Sequence, residues 1–140
     1  MVELLLEKGA QIEVIDTYSN TPLHYATWNG RTSMVELLLE KGAQIEATDI
    51  HGNTPLHFAV QCRYTSTAGL LLDKGAQIEA TDKYGNTPLH LAARNDRTST
   101  VRLLLEKGAS IEARNKGNKT PLDVVSWDHS ESSKLLRNST

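Results

Sequence analysis

The sequence predicts an all-α solenoid in which helix–turn–helix units are stacked and joined by extended loops. The first observation is a motif: Thr-Pro-Leu-His occurs at 21–24, 54–57 and 87–90, and Thr-Pro-Leu-Asp at 120–123, so each Thr-Pro lies 33 residues after the last. The second observation is that the motif contains residues that cap the N-terminus of a helix. The third is that an apolar pattern with helical spacing follows the motif. A fixed period of this length indicates a repeat array.

The start of each unit is defined by turn and capping residues, as the second copy of the motif illustrates. Asp49 and Gly52 are turn residues, and Gly52 is free to adopt a positive φ. Thr54 predicts a helix cap because its hydroxyl accepts a backbone N–H, and Pro55 suits the first helical position, where its missing donor costs nothing. The motif therefore predicts a turn, a cap and then a helix.

A second helix is predicted in each unit, from about residue 33 to 41 in the first complete one. Val35, Leu38 and Leu39 lie at i, i+3 and i+4, and Gly42 ends the helix in the left-handed conformation. The apolar stripe is wider than a two-layer protein requires, because such a helix touches its partner helix and a neighbour on each side. Burial is therefore expected to come from stacking, and no repeat should be stable alone.

The domain organisation follows from the period. Residues 1–13 recur letter for letter at 34–46, so the chain opens on a second helix. In the last unit, polar residues replace the usual apolar pattern of the second helix around 130–137, which is typical of a terminal cap. We expect one domain with these units: a half repeat at 1–15, full repeats at 16–48, 49–81 and 82–114, and a C-terminal capping repeat at 115–140.

Composition and charge exclude several classes of partner. The chain has 15 basic and 17 acidic residues among 140, a formal charge of −2, and therefore no basic footprint for nucleic acid. Cys62 is the only cysteine, so no intrachain disulfide forms. No apolar run approaches the roughly 18 residues that a membrane span needs. We expect a chain without membrane insertion and with an intracellular, cytoplasmic location.

The motifs together resemble a known repeat family. The pattern D-x-x-G-x-T-P-L-H-x-A, then V-x-x-L-L-L-x-x-G-A, appears here as DIHGNTPLHFA at 49–59 and GLLLDKGA at 69–76. It is similar to the ankyrin repeat family over essentially the whole chain. The resemblance implies an L-shaped stack of paired antiparallel helices with β-hairpin-like loops, and a concave surface made by the first helices and the loop tips. It also implies a non-catalytic module that binds another protein.

Three histidines, His24, His57 and His90, raise the question of a metal site. They occur one per repeat, and neighbouring helices lie about 8–10 Å apart, too far for two of them to share an ion at about 2 Å. The family resemblance implies instead that this histidine ties adjacent loops together by hydrogen bonds. Cys62 has no orienting Asp or Asn and no oxyanion motif, so nucleophilic catalysis is not predicted. We expect no enzyme activity, no metal and no cofactor.

Some positions depart from the repeat pattern. Gly30 stands where a glycine usually ends the first helix, but Arg63 and Asp96 occupy two of the equivalent positions. A non-glycine residue held at positive φ costs on the order of 1 kcal/mol. Gly69 lies inside a second helix, which costs roughly 1 kcal/mol relative to alanine. The sequence therefore predicts that the unit at 49–81 is the weakest complete repeat, and that Arg63→Gly stabilises it.

The candidate binding residues lie on the concave face and the loop tips that the resemblance implies. Tryptophan, tyrosine and arginine dominate binding energy at interfaces, and all three occur there. The alternative for Trp28 and Trp127 is that they only cover helix ends. The candidate residues are Tyr18, Asn20, Trp28, Asn29, Ile50, His51, Asn53, Gln61, Cys62, Lys83, Tyr84, Asn86, Arg94, Asn95, Lys116 and Lys119.

The expected function is therefore binding of a partner protein whose identity the sequence leaves open. The alternative is a structural segment of a larger scaffold, or an engineered array without a dedicated partner. Variation in the groove favours binding, because Trp28, Gln61 and Arg94 differ at equivalent positions. The apolar helix expected at residues 1–8 lacks the first helix of its unit, so self-association through its exposed face is a further hypothesis.

Overall fold

The computed structural model describes residues 12–126 and 128–139, and its helices follow the repeat period. The helix expected at residues 1–8 and the side chain of Trp127 lie outside the described residues. No strand occurs in the described ranges, which confirms the all-α fold class. The helices are α1 (Pro22–Trp28), α2 (Thr32–Glu40), α3 (Pro55–Gln61), α4 (Thr65–Asp73), α5 (Pro88–Arg94), α6 (Thr98–Glu106), a 3₁₀ helix (Leu122–Val124) and α7 (Glu131–Asn138).

The predicted helix caps are confirmed, and each involves the histidine of the motif. In α3, Thr54 Oγ1 accepts a hydrogen bond from the His57 backbone N–H at 3.3 Å. The Thr54 backbone N–H in turn donates to His57 Nδ1 at 3.0 Å. The same reciprocal pair closes the N-termini of α1 and α5. The histidine thus takes the place that glutamate or glutamine holds in the usual capping box.

The core lies between the helices of neighbouring units. The first helices α1, α3 and α5 contact one another in series, and so do the second helices α2, α4 and α6, while each first helix also contacts its own second helix. One leucine from each helix is fully buried there: Leu23, Leu56 and Leu89 from the first helices, and Leu38, Leu71 and Leu104 from the second. Each such burial contributes about 1.5–3 kcal/mol, so every unit is stabilised by its neighbours.

The last unit departs from the expected helix pair. Its first helix is reduced to the three-residue 3₁₀ helix, and Val125 directly after it is extended, with φ −63° and ψ 130°. Val125 stands where Ala26, Ala59 and Ala92 are buried inside α1, α3 and α5. A β-branched residue is a poorer helix former than alanine, which favours the extended conformation. The second helix forms as α7, with Ser130 as its cap and Leu136 buried.

The end of α3 differs from the ends of α1 and α5, and it corrects one sequence-based expectation. Gly30 and Asp96 adopt φ of 66° and 50°, as a left-handed helix end requires. Arg63 does not adopt a positive φ, because the chain has already turned at Cys62, where φ is −91° and ψ is 172°. The positive-φ penalty predicted for Arg63 is therefore wrong.

Candidate binding surface

Each loop between units is a tight turn organised by one side chain, an aspartate in three loops and Asn115 in the last. Asp49 Oδ1 accepts hydrogen bonds from the His51 and Asn53 backbone N–H groups, at 2.8 and 2.9 Å. The Asn53 side-chain amide donates to Asp49 Oδ2 at 3.2 Å. Asp16 and Asp82 do the same in their own loops. These bonds satisfy the backbone of the turn locally, so the loop tips hold one conformation.

The tips of successive loops are linked by one backbone hydrogen bond each. Ile50 N donates to the Tyr18 carbonyl at 3.0 Å, and Lys83 N to the His51 carbonyl at 2.9 Å. The last link runs from Lys116 N to the Tyr84 carbonyl at 3.0 Å. We call the exposed residues of these tips (17–19, 50–52, 83–85 and 116–119) and of α1, α3 and α5 the groove face.

Glycine fits a close approach at two of the three contacts between tips, whereas the first tip has Ser19 at the equivalent position, with a φ of 63°. A β-carbon on Gly52 would lie 2.9 Å from Lys83 N, and Gly52 also has a φ of 78°. Gly85 meets Lys116 N in the same way at 2.8 Å. Such approaches leave no room for a side chain. The glycine of the motif therefore serves the contact between loops as well as the turn.

The buried histidines connect each first helix to the following loop. His57 Nε2 lies 3.1 Å from the Asn86 carbonyl oxygen, and His24 Nε2 lies 2.9 Å from that of Asn53. His90 Nε2 makes the same contact with the Lys119 carbonyl at 2.7 Å. A carbonyl only accepts, so Nε2 carries the proton, and Nδ1 is free to accept from the cap N–H. Each ring nitrogen therefore has a structural partner, as the family resemblance implied.

This arrangement holds two of the histidines in the neutral form. Burial lowers the pKa of His24 and of His57, because a charged imidazolium loses its hydration there. The hydrogen bonds to Asn53 and Asn86, and the charges of nearby aspartates, raise these pKa values but offset the burial only in part. Protonation at Nδ1 would also remove the acceptor of the helix cap.

Aromatic side chains of α1 and α3 line a cleft on the groove face. Trp28 and Phe58 meet edge to face, with ring centroids 5.5 Å apart and planes at 77°. Tyr25 stands beside them, and its hydroxyl donates to Asp16, which lowers the pKa of that carboxyl to about 2. The cleft has a volume of about 370 Å³, and its lining also includes His51 and Gln61. We call it the aromatic cleft.

The comparisons with known proteins agree with this architecture. Family models of ankyrin repeats match residues 5–66 (a model of many copies), and 47–115 and 79–139 (a model of three copies). The chain belongs to the ankyrin repeat family. A search of curated proteins returned no match. Ankyrin repeats are generally protein–protein interaction modules and typically non-catalytic. None of the helices in the described residues is long and apolar enough to cross a membrane.

Most of the residues that the sequence predicted as binding residues of this ankyrin array are accessible. The aromatic cleft brings together Trp28, Gln61 and the loop residues Asn20, His51 and Asn53. The exposed candidates are Tyr18, Trp28, Asn29, Ile50, His51, Lys83, Tyr84, Arg94, Asn95, Lys116 and Lys119, and the half-buried ones are Asn20, Asn53, Gln61 and Cys62.

Asn86 is the one predicted binding residue without an accessible side chain. It is only 1% exposed, because the next loop covers it: the Asn115 side-chain amide donates to Asn86 Oδ1 at 2.9 Å. Its backbone carbonyl is the acceptor for His57. Asn86 therefore joins two repeats, and we leave it out of the candidate surface.

Two aromatic residues of the cleft, Tyr25 and Phe58, were not among the binding residues predicted from the sequence. Tyr25 and Phe58 occupy the variable position that follows the histidine of the motif, where the next unit has Leu91. Tyr25 is 51% exposed, whereas Leu91 is buried. Tyrosine, phenylalanine and leucine thus occupy one position of the repeat, and this variation is the sequence signal that would have predicted a binding position there.

Cys62 and the histidines do not form a reactive cluster. The Cys62 thiol donates to the Trp28 carbonyl at 3.7 Å, and burial raises the pKa of this thiol, which disfavours the thiolate. Across residues 12–126 and 128–139, no three His, Cys, Asp or Glu side chains come close enough to hold a metal ion.

Proposed function

We propose that this ankyrin array binds a partner protein through its groove face, with the aromatic cleft as the main anchor site. The observation that carries the proposal is the exposure of two aromatic side chains at the cleft, since Tyr25 and Trp28 are each 51% exposed. Large aromatic side chains are enriched at interface hot spots, where their burial supplies most of the binding energy. The hydrogen bonds between loops supply a preformed surface, which lowers the entropic cost of binding.

The second part of the proposed surface lies further along the array, around Tyr84 and Arg94. Both side chains are exposed, and Lys83 Nζ lies 5.0 Å from the centre of the Tyr84 ring. We expect Tyr84→Ala and Arg94→Ala each to weaken partner binding by about 1 kcal/mol or more. Neither change should lower the melting temperature much, because exposed side chains contribute little to stability.

The experiment is affinity capture with the full chain, followed by mass spectrometry and calorimetric titration of each purified partner. The groove variant is Tyr25→Ser/Trp28→Ser, and the matched control is Glu36→Ser/Arg102→Ser, which changes two exposed residues of the second helices. We expect the groove variant to lose at least about 2 kcal/mol of binding free energy and the control to retain it. If only the control variant loses binding free energy, the binding site lies on the second helices. If no partner is captured, the result favours a purely structural array.

A further inference from the structure

The groove face carries an excess of positive charge at its C-terminal half. Lys83, Arg94, Lys116 and Lys119 are all exposed there, although the chain as a whole has a formal charge of −2. The three ion pairs found within residues 12–126 and 128–139 involve none of the four. Those pairs are Lys107–Asp73, Lys134–Glu131 and Arg137–Asp128.

The fold brings these four cations to one end of the groove face. Lys116 is bonded through its backbone to Tyr84, the neighbour of Lys83, and the Lys119 carbonyl accepts from His90 in α5. Arg94 ends the same helix, about 6 Å beyond His90 at 1.5 Å per residue.

Acidic residues near this end do not cancel the charge. Asp82 is buried, and its carboxylate accepts hydrogen bonds from its own loop. Asp123 is exposed but is bonded to the Thr120 backbone N–H, and that bond lowers the pKa of its carboxyl. Asp96 is exposed in the loop after α5. This end therefore has two exposed carboxylates and four cations, and the charge of Lys119 also lowers the pKa of the Asp123 carboxyl.

The groove face is thus divided along the array into an aromatic part at α1 and α3 and a cationic part at α5 and the last loop. We propose that the partner presents an extended acidic segment with one aromatic or aliphatic anchor. The anchor enters the aromatic cleft, and the Asp or Glu side chains lie against Lys83, Arg94, Lys116 and Lys119. This inference rests on the proposed function and adds the chemistry of the partner.

The helix spacing sets the distance between the anchor and the acidic residues. Neighbouring first helices lie about 8–10 Å apart, and the cationic part begins one to two helices beyond the cleft. An extended chain advances about 3.3 Å per residue, so roughly three to six residues separate the two. This spacing distinguishes the proposal from a general attraction for acidic proteins.

The test is selection from a random peptide library displayed on phage, with the full chain as bait. We expect enriched peptides to carry an aromatic or aliphatic residue followed or preceded by Asp or Glu at roughly the spacing above. A labelled consensus peptide then reports affinity by fluorescence anisotropy at about 50 and about 500 mM NaCl, where its binding should weaken about tenfold or more with added salt.

Charge reversal provides the matched comparison. Lys83→Glu/Lys116→Glu should weaken binding of the consensus peptide about tenfold or more, whereas Lys41→Glu/Lys74→Glu, at exposed ends of second helices, should change it less than about twofold. Selected peptides without acidic enrichment that still lose binding to Trp28→Ala would overturn this inference and leave the proposed function standing. If the selected peptides bind equally well to Trp28→Ala and to Lys83→Glu/Lys116→Glu, or if no peptide is selected, this inference and the proposed function are both overturned. Tighter binding of an oligouridylate of about twelve nucleotides would also overturn it.

Discussion

The ring of Tyr64 lies directly against the backbone of Gly30, so that a β-carbon on this glycine would come within 2.6 Å of Tyr64 Cγ. The glycine at the end of α1 thus leaves the space that the aromatic ring of the next unit occupies. The equivalent of Tyr64 in the following unit, Arg97, donates from Nε to the Gln61 carbonyl at the end of α3 at 3.2 Å. Each helix end is therefore completed by the unit that follows.

Gly30→Ala should destabilise the protein more than a glycine substitution in open space. It incurs the cost of a positive φ, on the order of 1 kcal/mol, and it forces Tyr64 aside, for a total of about 2–4 kcal/mol. Gly108→Ala is the matched control, because Gly108 also has a positive φ, 90°, but has nothing within 4 Å of its β-carbon position. Urea unfolding measures both. Equal losses would show that the contact with Tyr64 is relieved without cost.

Asp96→Gly and Arg63→Gly should differ in their effect on stability, although the two positions are equivalent in the repeat. Asp96 has a φ of 50°, so glycine relieves strain there and offsets its own entropic cost. Arg63 has no such strain, so glycine should destabilise by about 0.5–1 kcal/mol through the unfolded chain. Thermal unfolding of the two variants gives the comparison. A stabilising Arg63→Gly would mean that this turn adopts the left-handed conformation in solution.

Gly69→Ala should stabilise the protein by about 0.5–1 kcal/mol. Gly69 lies inside α4, and a β-carbon there would find only Leu103 Cδ2, at an ordinary distance of 3.8 Å. Alanine therefore gains helix propensity without a clash. Gly75→Ala, just beyond the end of the same helix, has a φ of 98° and should change stability in the opposite direction. Chemical denaturation of both variants would contradict the argument if Gly69→Ala lowered the midpoint.

His57→Ala should cost about 2–4 kcal/mol, because it removes a fully buried side chain, leaves the Thr54 N–H unpaired and takes from the Asn86 carbonyl one of its two donors, the other being the Asp82 N–H. The loss should appear as a lower free energy of unfolding in urea. His51→Ala serves as the control, since this histidine is exposed at a loop tip and its removal should cost less than about 0.5 kcal/mol. A loss below about 1 kcal/mol for His57→Ala would contradict the structural role of the histidine.

Stability should fall as the solution becomes mildly acidic. The folded-state pKa of His24 and of His57 lies below the ordinary value of 6.5, so the unfolded chain binds more protons below that pH. The stabilisation is therefore present above about pH 6.5 and is lost as pH falls toward the lowered folded-state values. The aspartates that face these rings (Asp16 and Asp49 for His24, Asp49 and Asp82 for His57) weaken the effect without reversing it.

Melting temperatures at about pH 7.5 and about pH 5.5 measure this dependence. His57→Gln should reduce the difference between the two temperatures, because glutamine does not titrate, whereas His51→Gln should leave it unchanged. A melting temperature that stays constant or rises on acidification would show that the buried histidines are not the groups that control stability in this range.

The sequence by itself determined the repeat, its period and the local chemistry of each unit. The Thr-Pro caps, the turn glycines and the apolar stripe of each second helix depend on residues a few positions apart, so they are visible in one dimension. Most of the candidate surface was also predictable, because the variable positions of a repeat are known once the period is known. The neutral form of His24 and His57 does not follow from the motif alone, because the burial that lowers their pKa values exists only in the stacked array.

The tertiary structure decided which of the equivalent positions face solvent. Asn20, Asn53 and Asn86 occupy the same place in their units, yet only Asn86 is buried, because Asn115 reaches it from the next loop. Likewise, Arg63 does not adopt a positive φ, because the chain turns one residue earlier, at Cys62. The ring of Tyr64 lies over Gly30 of the preceding unit. In a stacked array these contacts join residues about one period apart, so the environment of a position depends on the side chains of its neighbours and not on its own unit.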